Sequence, residues 1–293
     1  MTTTVDHGDG AVPVMELAGV SKQFLGITAV RDVSLRVYPG EVTCLLGDNG
    51  AGKSTLIKIM SGVYRPSAGE VRIDAKRVGL PSPHAAQELG IGTVHQDDGM
   101  LPLMSVYRNF FLGREPTRGR GPVRRMDKKR ASQVAVQQLT ALGITRVRRG
   151  DQLVGTLSGG ERQALAISRA LYFGARMLIL DEPTSSLGVR EAGVVLRLIQ
   201  QVKANGVAVV FITHNAHHAM TVGDRFTVLI QGQVADQFSR GERTREELLS
   251  LMAGGQELEA LQAALEEPGQ APGNGRPVTV PGAVTAVNGH GDD

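Results

Sequence analysis

The stretch GDNGAGKST, Gly47 to Thr55, constrains the architecture of this chain more than any other. It matches the pattern G-x-x-x-x-G-K-[ST] and lies between an apolar run, VTCLLG, and a helical run, STLIKIMSG. Such a loop works where a buried strand turns into a helix, because the backbone must curl its N–H groups around phosphates at a helix start. Gly47, Gly50 and Gly52 permit the curl, with Asp48, Asn49 and Ala51 between them. Lys53 offers a positive charge to β- and γ-phosphates, the Ser54 hydroxyl can ligate Mg²⁺, and Thr55 follows in the same turn.

The rest of the chain fits that unit. Short β-branched runs at VMELA, VSLRVY, VTCLLG, EVRID, IGTVHQ, MLILD, VAVVFIT, FTVLI and QVADQF read as strands. Helical patterns alternate with the later strands, which predicts a layered α/β core on a largely parallel sheet. The early strands follow one another closely and predict an antiparallel flank. Between Gln96 and LSGGERQ the pattern turns helical, with RASQVAVQQLTALG the clearest case, and suggests a helical insertion. Within it Arg114 to Arg130 holds eight Lys/Arg and two acids. That run reads as a solvated loop or as a contact for membrane headgroups or an acidic partner. Residues 1–12 read as a flexible lead. The Gly/Pro-rich end, after a possible helix QELEALQAALEE, predicts disorder over 254–293.

Two carboxylates close the apolar strand MLILDEP. Ligands bind at the carboxyl ends of parallel strands, so Asp181 is placed to hold Mg²⁺ and Glu182 to take a proton from an attacking water. An acid pair capping the next helix is the structural alternative. Gln96 after IGTVH and His214 after VAVVFIT also fall at strand ends, where a nucleotide would make them a Mg²⁺/water ligand and a γ-phosphate donor. His217 and His218 read as surface residues of a helix, and His95 as structural.

LSGGERQ, residues 157–163, is a second anion-binding helix start with no ligand of its own. Nearly balanced charge, 32 basic against 29 acidic residues, gives no footprint for nucleic acid. No apolar run reaches the ~18–20 residues of a membrane span, and MTTTVDHGDG lacks the features of a signal peptide. The single cysteine, Cys44, lies in an apolar run and reads as a small buried hydrophobe in a reducing compartment. These features predict a soluble cytoplasmic protein.

In combination and in this order, the phosphate loop, LSGGERQ, MLILDEP and FITH resemble the ATP-binding subunits of ABC transporters. The resemblance spans roughly residues 13–253. It implies an α/β P-loop NTPase fold: a RecA-like core, an antiparallel β subdomain and an inserted helical subdomain at about 97–173. It further implies ATP and Mg²⁺ as ligands, Phe24 as the aromatic stacking on adenine, Gln96 as the residue linking nucleotide to membrane partner, and His214 as the switch histidine. Two cassettes of this family pair head to tail. Ser158, Gly159 and Gly160 would then reach the γ-phosphate of the other subunit's ATP. Lys53, Glu182 and His214 would carry the hydrolysis.

The sequence SSLG, Ser185 to Gly188, departs from the S-A-L-D common in relatives and lacks its acid. LGVRE and GDNGAGKST resemble the monosaccharide-uptake branch. The resemblance therefore implies an import ATPase on the inner face of the cell membrane. Its partners would be a permease, a second ATP-binding subunit and, indirectly, an extracytoplasmic solute-binding protein, with no nucleic acid. A soluble assembly ATPase of the iron–sulfur scaffold kind, or an importer of a non-sugar solute, is the alternative. The solute itself is not legible in the chain.

Overall fold

The computed structural model describes residues 11–96, 99–119 and 125–253. Residues 1–10 of the lead expected over 1–12, the C-terminal tail with its possible helix, and residues 120–124 of the basic run lie outside the described residues.

Chain order begins β1 (Met15–Phe24), β2 (Ile27–Val37), β3 (Val42–Leu46), α1 (Lys53–Met60), β4 (Ala68–Ile73), β5 (Lys76–Val78), α2 (Pro83–Glu88) and β6 (Ile91–Val94). The middle holds α3 (Val106–Phe110), β7 (Thr117–Arg118), β8 (Arg125–Met126), α4 (Lys128–Ala141) and α5 (Gly159–Tyr172). The last part is β9 (Met177–Asp181), α6 (Val189–Ala204), β10 (Ala208–Ile212), α7 (Ala216–Val222), β11 (Arg225–Ile230), β12 (Gln233–Ser239) and α8 (Arg245–Met252). All nine expected strands are present. Three short strands, β5, β7 and β8, and the helix α8 had no clear signal in the sequence.

Six strands form the central sheet in the order β12-β11-β3-β10-β9-β6. Its neighbours are parallel except β11 and β12, which form an antiparallel hairpin. The order brings together the carboxyl ends of β3, β9, β10 and β6, although they lie far apart in the chain. A second sheet, β2-β1-β4-β5, is wholly antiparallel, as the close succession of early strands suggested.

Two apolar cores explain the continuous apolar runs. Val42, Cys44 and Leu46 face one core with Leu178, Leu180, Val209 and Phe211; α5, α6 and α7 cover that face. Leu45, Met177, Ile179, Ala208, Val210 and Ile212 face the other, where α1 and the antiparallel sheet pack. Strands buried on both faces lose the period-two alternation of a half-exposed strand. Helices α3, α4 and α5 contribute Phe110, Ala131, Ala135, Leu139 and Leu165 to the first core, so the inserted helices pack on it too. The loop that leads into α3 is pinned by Asn109, which is 1% exposed. Its Oδ1 accepts from Leu101 N–H, while its Nδ2 donates to the carbonyls of Leu101, Met104 and Ser105.

Candidate functional site

The phosphate loop leaves β3 and enters α1 as the motif requires. Gly47, Gly50 and Gly52 all take positive φ, 141°, 84° and 97°. Space as well as torsion demands glycine at Gly52, where a Cβ would lie 2.7 Å from the carbonyl oxygen of Ala29. Lys53 is buried, and its Nζ donates to the carbonyls of Gly47 and Asp48 at 2.7 and 2.9 Å. Its ammonium is thus folded back over the loop. Burial lowers its pKa, while the charges of Glu182, Asp48 and Asp181 act in the opposite direction.

At the end of β9 the acid pair splits into two environments. Burial pushes the Asp181 carboxyl above the usual aspartate range, and the charge of His95 acts against that shift. His95 is exposed. Glu182 turns into left-handed backbone, φ 50°, and its N–H donates to the Ile212 carbonyl at 3.0 Å across the sheet. Its Oε1 lies 2.9 Å from His214 Nδ1, whereas its Oε2 is buried without a hydrogen-bond partner among the described residues. The Ser185 N–H and hydroxyl both donate to the Glu182 carbonyl, at 3.1 and 3.0 Å, and fix the turn.

One open cleft of about 560 Å³ is lined by the phosphate loop from Asn49 to Thr55 together with Gln96, Asp181 and Glu182. Ile27, Thr28 and Gln231 form its outer wall. Phe24 stands beside it at the tip of β1, with its ring half-exposed and edge-on to Tyr64 at 5.2 Å. Lys22 Nζ lies 5.2 Å from the Phe24 ring and 5.5 Å from that of Tyr64. Tyr64 and Lys22 belong to no motif, so this aromatic–cation platform had no signal in the sequence.

LSGGERQ does not line that cleft. It forms the start of α5, where Ser158 is the N-cap: its Oγ accepts from Glu161 N–H at 3.3 Å, and Ser158 N–H donates to Glu161 Oε2 at 2.9 Å. Gly159 N–H donates to Glu191 Oε1 at 3.1 Å, on the neighbouring helix α6. Of the three residues expected to meet a phosphate, Ser158 and Gly159 thus have their amides already engaged. His218 also differs from the surface residue expected. It is half-buried, its Nδ1 is 3.0 Å from Thr184 Oγ1, and burial lowers its pKa. At the described ends of the basic run, Arg118 and Arg125 pair in the β7–β8 hairpin, and Arg114 stacks over the Phe173 ring at 5.1 Å. Cys44 is buried as expected, and burial raises its thiol pKa.

Comparison with known proteins agrees with this geometry. The family model for the ABC transporter matches residues 30–185. The ribose import ATP-binding protein RbsA 1 of Rubrobacter xylanophilus is 39% identical over 258 residues, 88% of this chain. This chain spans about half the length of that relative, 50%. The xylose/arabinose import ATP-binding protein XylG of Sulfolobus acidocaldarius is 41% identical over 82% of this chain and 93% of its own. The fructose import ATP-binding protein FrcA of Rhizobium meliloti is 37% identical over 84% and 95%. Among solved structures, the ADP conformation of MJ1267, an ATP-binding cassette of an ABC transporter, superposes with TM-score 0.71 at 25% identity, covering 85% of this chain and 98% of that one. A dimeric post-hydrolysis state of the cassette MJ0796, bound to ADP and Pi, gives TM-score 0.64 at 27% identity over 78% and 100%. With phosphate loop, strand-end acid pair, histidine and separate signature helix in one P-loop fold, the chain belongs to the ATP-binding cassettes of the ABC transporter family.

Proposed function

We propose that this chain is the ATP-hydrolysing subunit that drives solute import through a separate membrane permease, and that the solute is a monosaccharide. The observation that carries the hydrolytic part is the Glu182–His214 pair at the mouth of the phosphate-loop cleft, with Glu182 Oε2 left free of any described partner. Glu182 is the general base for an attacking water, Lys53 holds the β- and γ-phosphates, and His214 stabilises the transferring phosphoryl group. An ionised Glu182 makes His214 Nδ1 the donor of their bond, so donation from Nε2 to a γ-phosphate requires the imidazolium form. Phe24, with Tyr64 beside it, stacks on the base.

Ser54, Gln96 and Asp181 are the residues that would hold Mg²⁺. The set fits a hard divalent cation: its donors are all oxygens, and Asp181 is a carboxylate that burial leaves under-compensated. When bound, the ion supplies charge to the β- and γ-phosphate oxygens.

The signature helix lies outside its own chain's cleft, which supports a second copy as the source of the nucleotide it meets. A groove of about 320 Å³ between β6 and α5, lined by Gln87, Met100, Leu112, Arg114, Arg169 and Phe173, is the proposed permease contact. Exposed Leu101 and Leu103, 45% and 89%, follow its lining residue Met100 in the chain and are proposed to share the contact. None of the described helices is long and apolar enough to cross a membrane, so attachment to the inner face of the membrane would run through that permease. The sugar reading is supported by the printed functions of the three relatives and by LGVRE and GDNGAGKST.

The solution mass of Glu182→Gln tests the core of the proposal. A shift from monomer to dimer on adding Mg-ATP is expected. Wild-type hydrolysis at a rate independent of protein concentration, together with a mutant that stays monomeric at saturating ATP, would defeat it. A radiolabelled-sugar panel in cells lacking the subunit tests the solute; unchanged uptake of every sugar would remove the monosaccharide assignment.

A further inference from the structure

The first four N–H groups of a helix have no partner inside it. At α5 three of them are engaged by side chains: Ser158 N–H by Glu161, Gly159 N–H by Glu191 and Glu161 N–H by Ser158. The fourth belongs to Gly160. Glu191 is also the first-turn acid of α6, and its other oxygen, Oε2, accepts from Gly188 N–H at 3.4 Å. Gly188, the N-cap of α6, has no side chain to cap that helix, so the Glu191 carboxylate is its cap. One half-buried carboxylate therefore joins two helix N-termini, that of the signature and that of the SSLG turn.

Packing reinforces the junction. A Cβ at Gly159 would collide with Leu187 Cδ2 of the SSLG turn. A Cβ at Gly160 would lie 3.1 Å from the Glu191 carbonyl oxygen and 3.5 Å from its Cα. The two signature glycines are thus the surface on which the first turn of α6 rests.

We infer that Glu191 is a positioning residue for ATP hydrolysis in trans: it fixes Gly159 and Gly188, sets the signature glycines and the SSLG turn as one unit, and leaves Gly160 N–H and the Ser158 hydroxyl as the donors to the second subunit's ATP. Gly188 stands where S-A-L-D carries its acid, and in this chain Glu191 anchors the turn through the Gly188 N–H. The inference rests on the proposed head-to-tail pairing, and its test separates the two.

Heterodimers of the full chain, purified through two different tags, contain one Glu182→Gln subunit so that only the other subunit's ATP is hydrolysed. With Glu191→Ala placed on the Glu182→Gln subunit, the sole active ATP faces the altered signature. With Glu191→Ala on the other subunit, it faces an intact one. The first arrangement is expected to turn over at least about tenfold more slowly than the second, as a displacement of positioning groups by a fraction of an ångström would produce. Rates within twofold of each other would overturn the assignment. Ser158→Arg in the same two arrangements is the control: if it too is indifferent to placement, the pairing itself fails, whereas if only Glu191→Ala is indifferent, the pairing stands and Glu191 has no positioning role. A second readout does not need heterodimer turnover. On a Glu182→Gln background, Glu191→Ala should weaken ATP-driven dimerisation about tenfold, with Glu191→Gln intermediate because its amide can accept only one of the two bonds. ATP affinity of the monomer should not move. Equal dimerisation by all three proteins would also overturn the assignment.

Discussion

At the scale of single residues, Glu182 sits in a conformation that non-glycine residues rarely adopt, φ 50°, at the position where the acid pair ends its strand. The turn is held by four contacts, from Ile212, from His214 and two from Ser185. Such over-determination keeps a strained residue aimed into a site. On the proposed role, Glu182→Gln keeps the backbone and removes the base: hydrolysis should fall about 10²- to 10⁴-fold while ATP titration gives near-normal affinity. Turnover close to wild type would remove Glu182 from that role. Cys44 offers a contrasting case. Its buried Sγ lies 3.7 Å from the Ala219 carbonyl oxygen, and burial raises its pKa, so little thiolate forms. A thiol reagent at neutral pH should label it only as fast as the protein unfolds; rapid stoichiometric labelling of the native chain would mean that the core near α7 opens on its own.

At the scale of elements, two polar devices hold the layout. Asn109 satisfies one N–H and three carbonyls of the loop between Gln96 and α3. Asn109→Asp replaces a donating amide by an acceptor facing those three carbonyls. It should cost roughly 2–4 kcal/mol, the loss of several buried bonds with one group left unsatisfied, read as a lower denaturation midpoint. A change under about 0.5 kcal/mol, the size of an ordinary surface substitution, would mean the loop does not depend on it. The second device ties the antiparallel sheet to the central one: Arg176, just before β9, donates to both oxygens of Asp74 at 2.8 and 2.7 Å. The Arg176 hydrogen bond holds the Asp74 carboxyl below its usual range. Because the folded pKa is depressed, the stabilisation is complete above the pKa of the unfolded chain and disappears as pH falls through the folded value. The pair is half-exposed, so Asp74→Asn should cost only about 0.2–1 kcal/mol near pH 7 and nothing in strong acid. An equal cost at both pH values would show that charge is not the source.

For the whole molecule, the proposed division of labour is spatial. The nucleotide cleft, the signature helix and the β6–α5 groove use different surfaces of one cassette. Leu103→Asp, at an 89% exposed position, should therefore leave ATP-driven dimerisation of Glu182→Gln intact. Burying one leucine is worth about 1.5–3 kcal/mol, so capture by the permease should weaken about tenfold or more. Loss of dimerisation instead would move Leu103 to the subunit interface, and unchanged capture would place the permease elsewhere.

Local sequence determined much of this protein. A glycine-rich loop can cradle phosphates only between strand and helix, and a strand buried on both faces must be apolar throughout; hence β3, β9, β10 and the phosphate loop were readable residue by residue. So were the acid pair at a strand end and the start of α5, because a serine and two glycines precede its apolar period; the capping box at that start was not read. Strand order was not readable, since β3 meets β10 through residues more than a hundred positions apart and β10 meets β9 across the whole of α6, and no local period encodes either pairing. The same reason hid Tyr64 beside Phe24, Thr184 on His218 and Glu191 on Gly159. Even where the segment carries a motif, as LGVRE does around Glu191, only packing against another element gives the side chain its partner. The sequence by itself determined which chemistry the chain carries; the tertiary structure decided which groups hold that chemistry in place, because a side chain's partners are fixed by the fold and not by its neighbours in the chain.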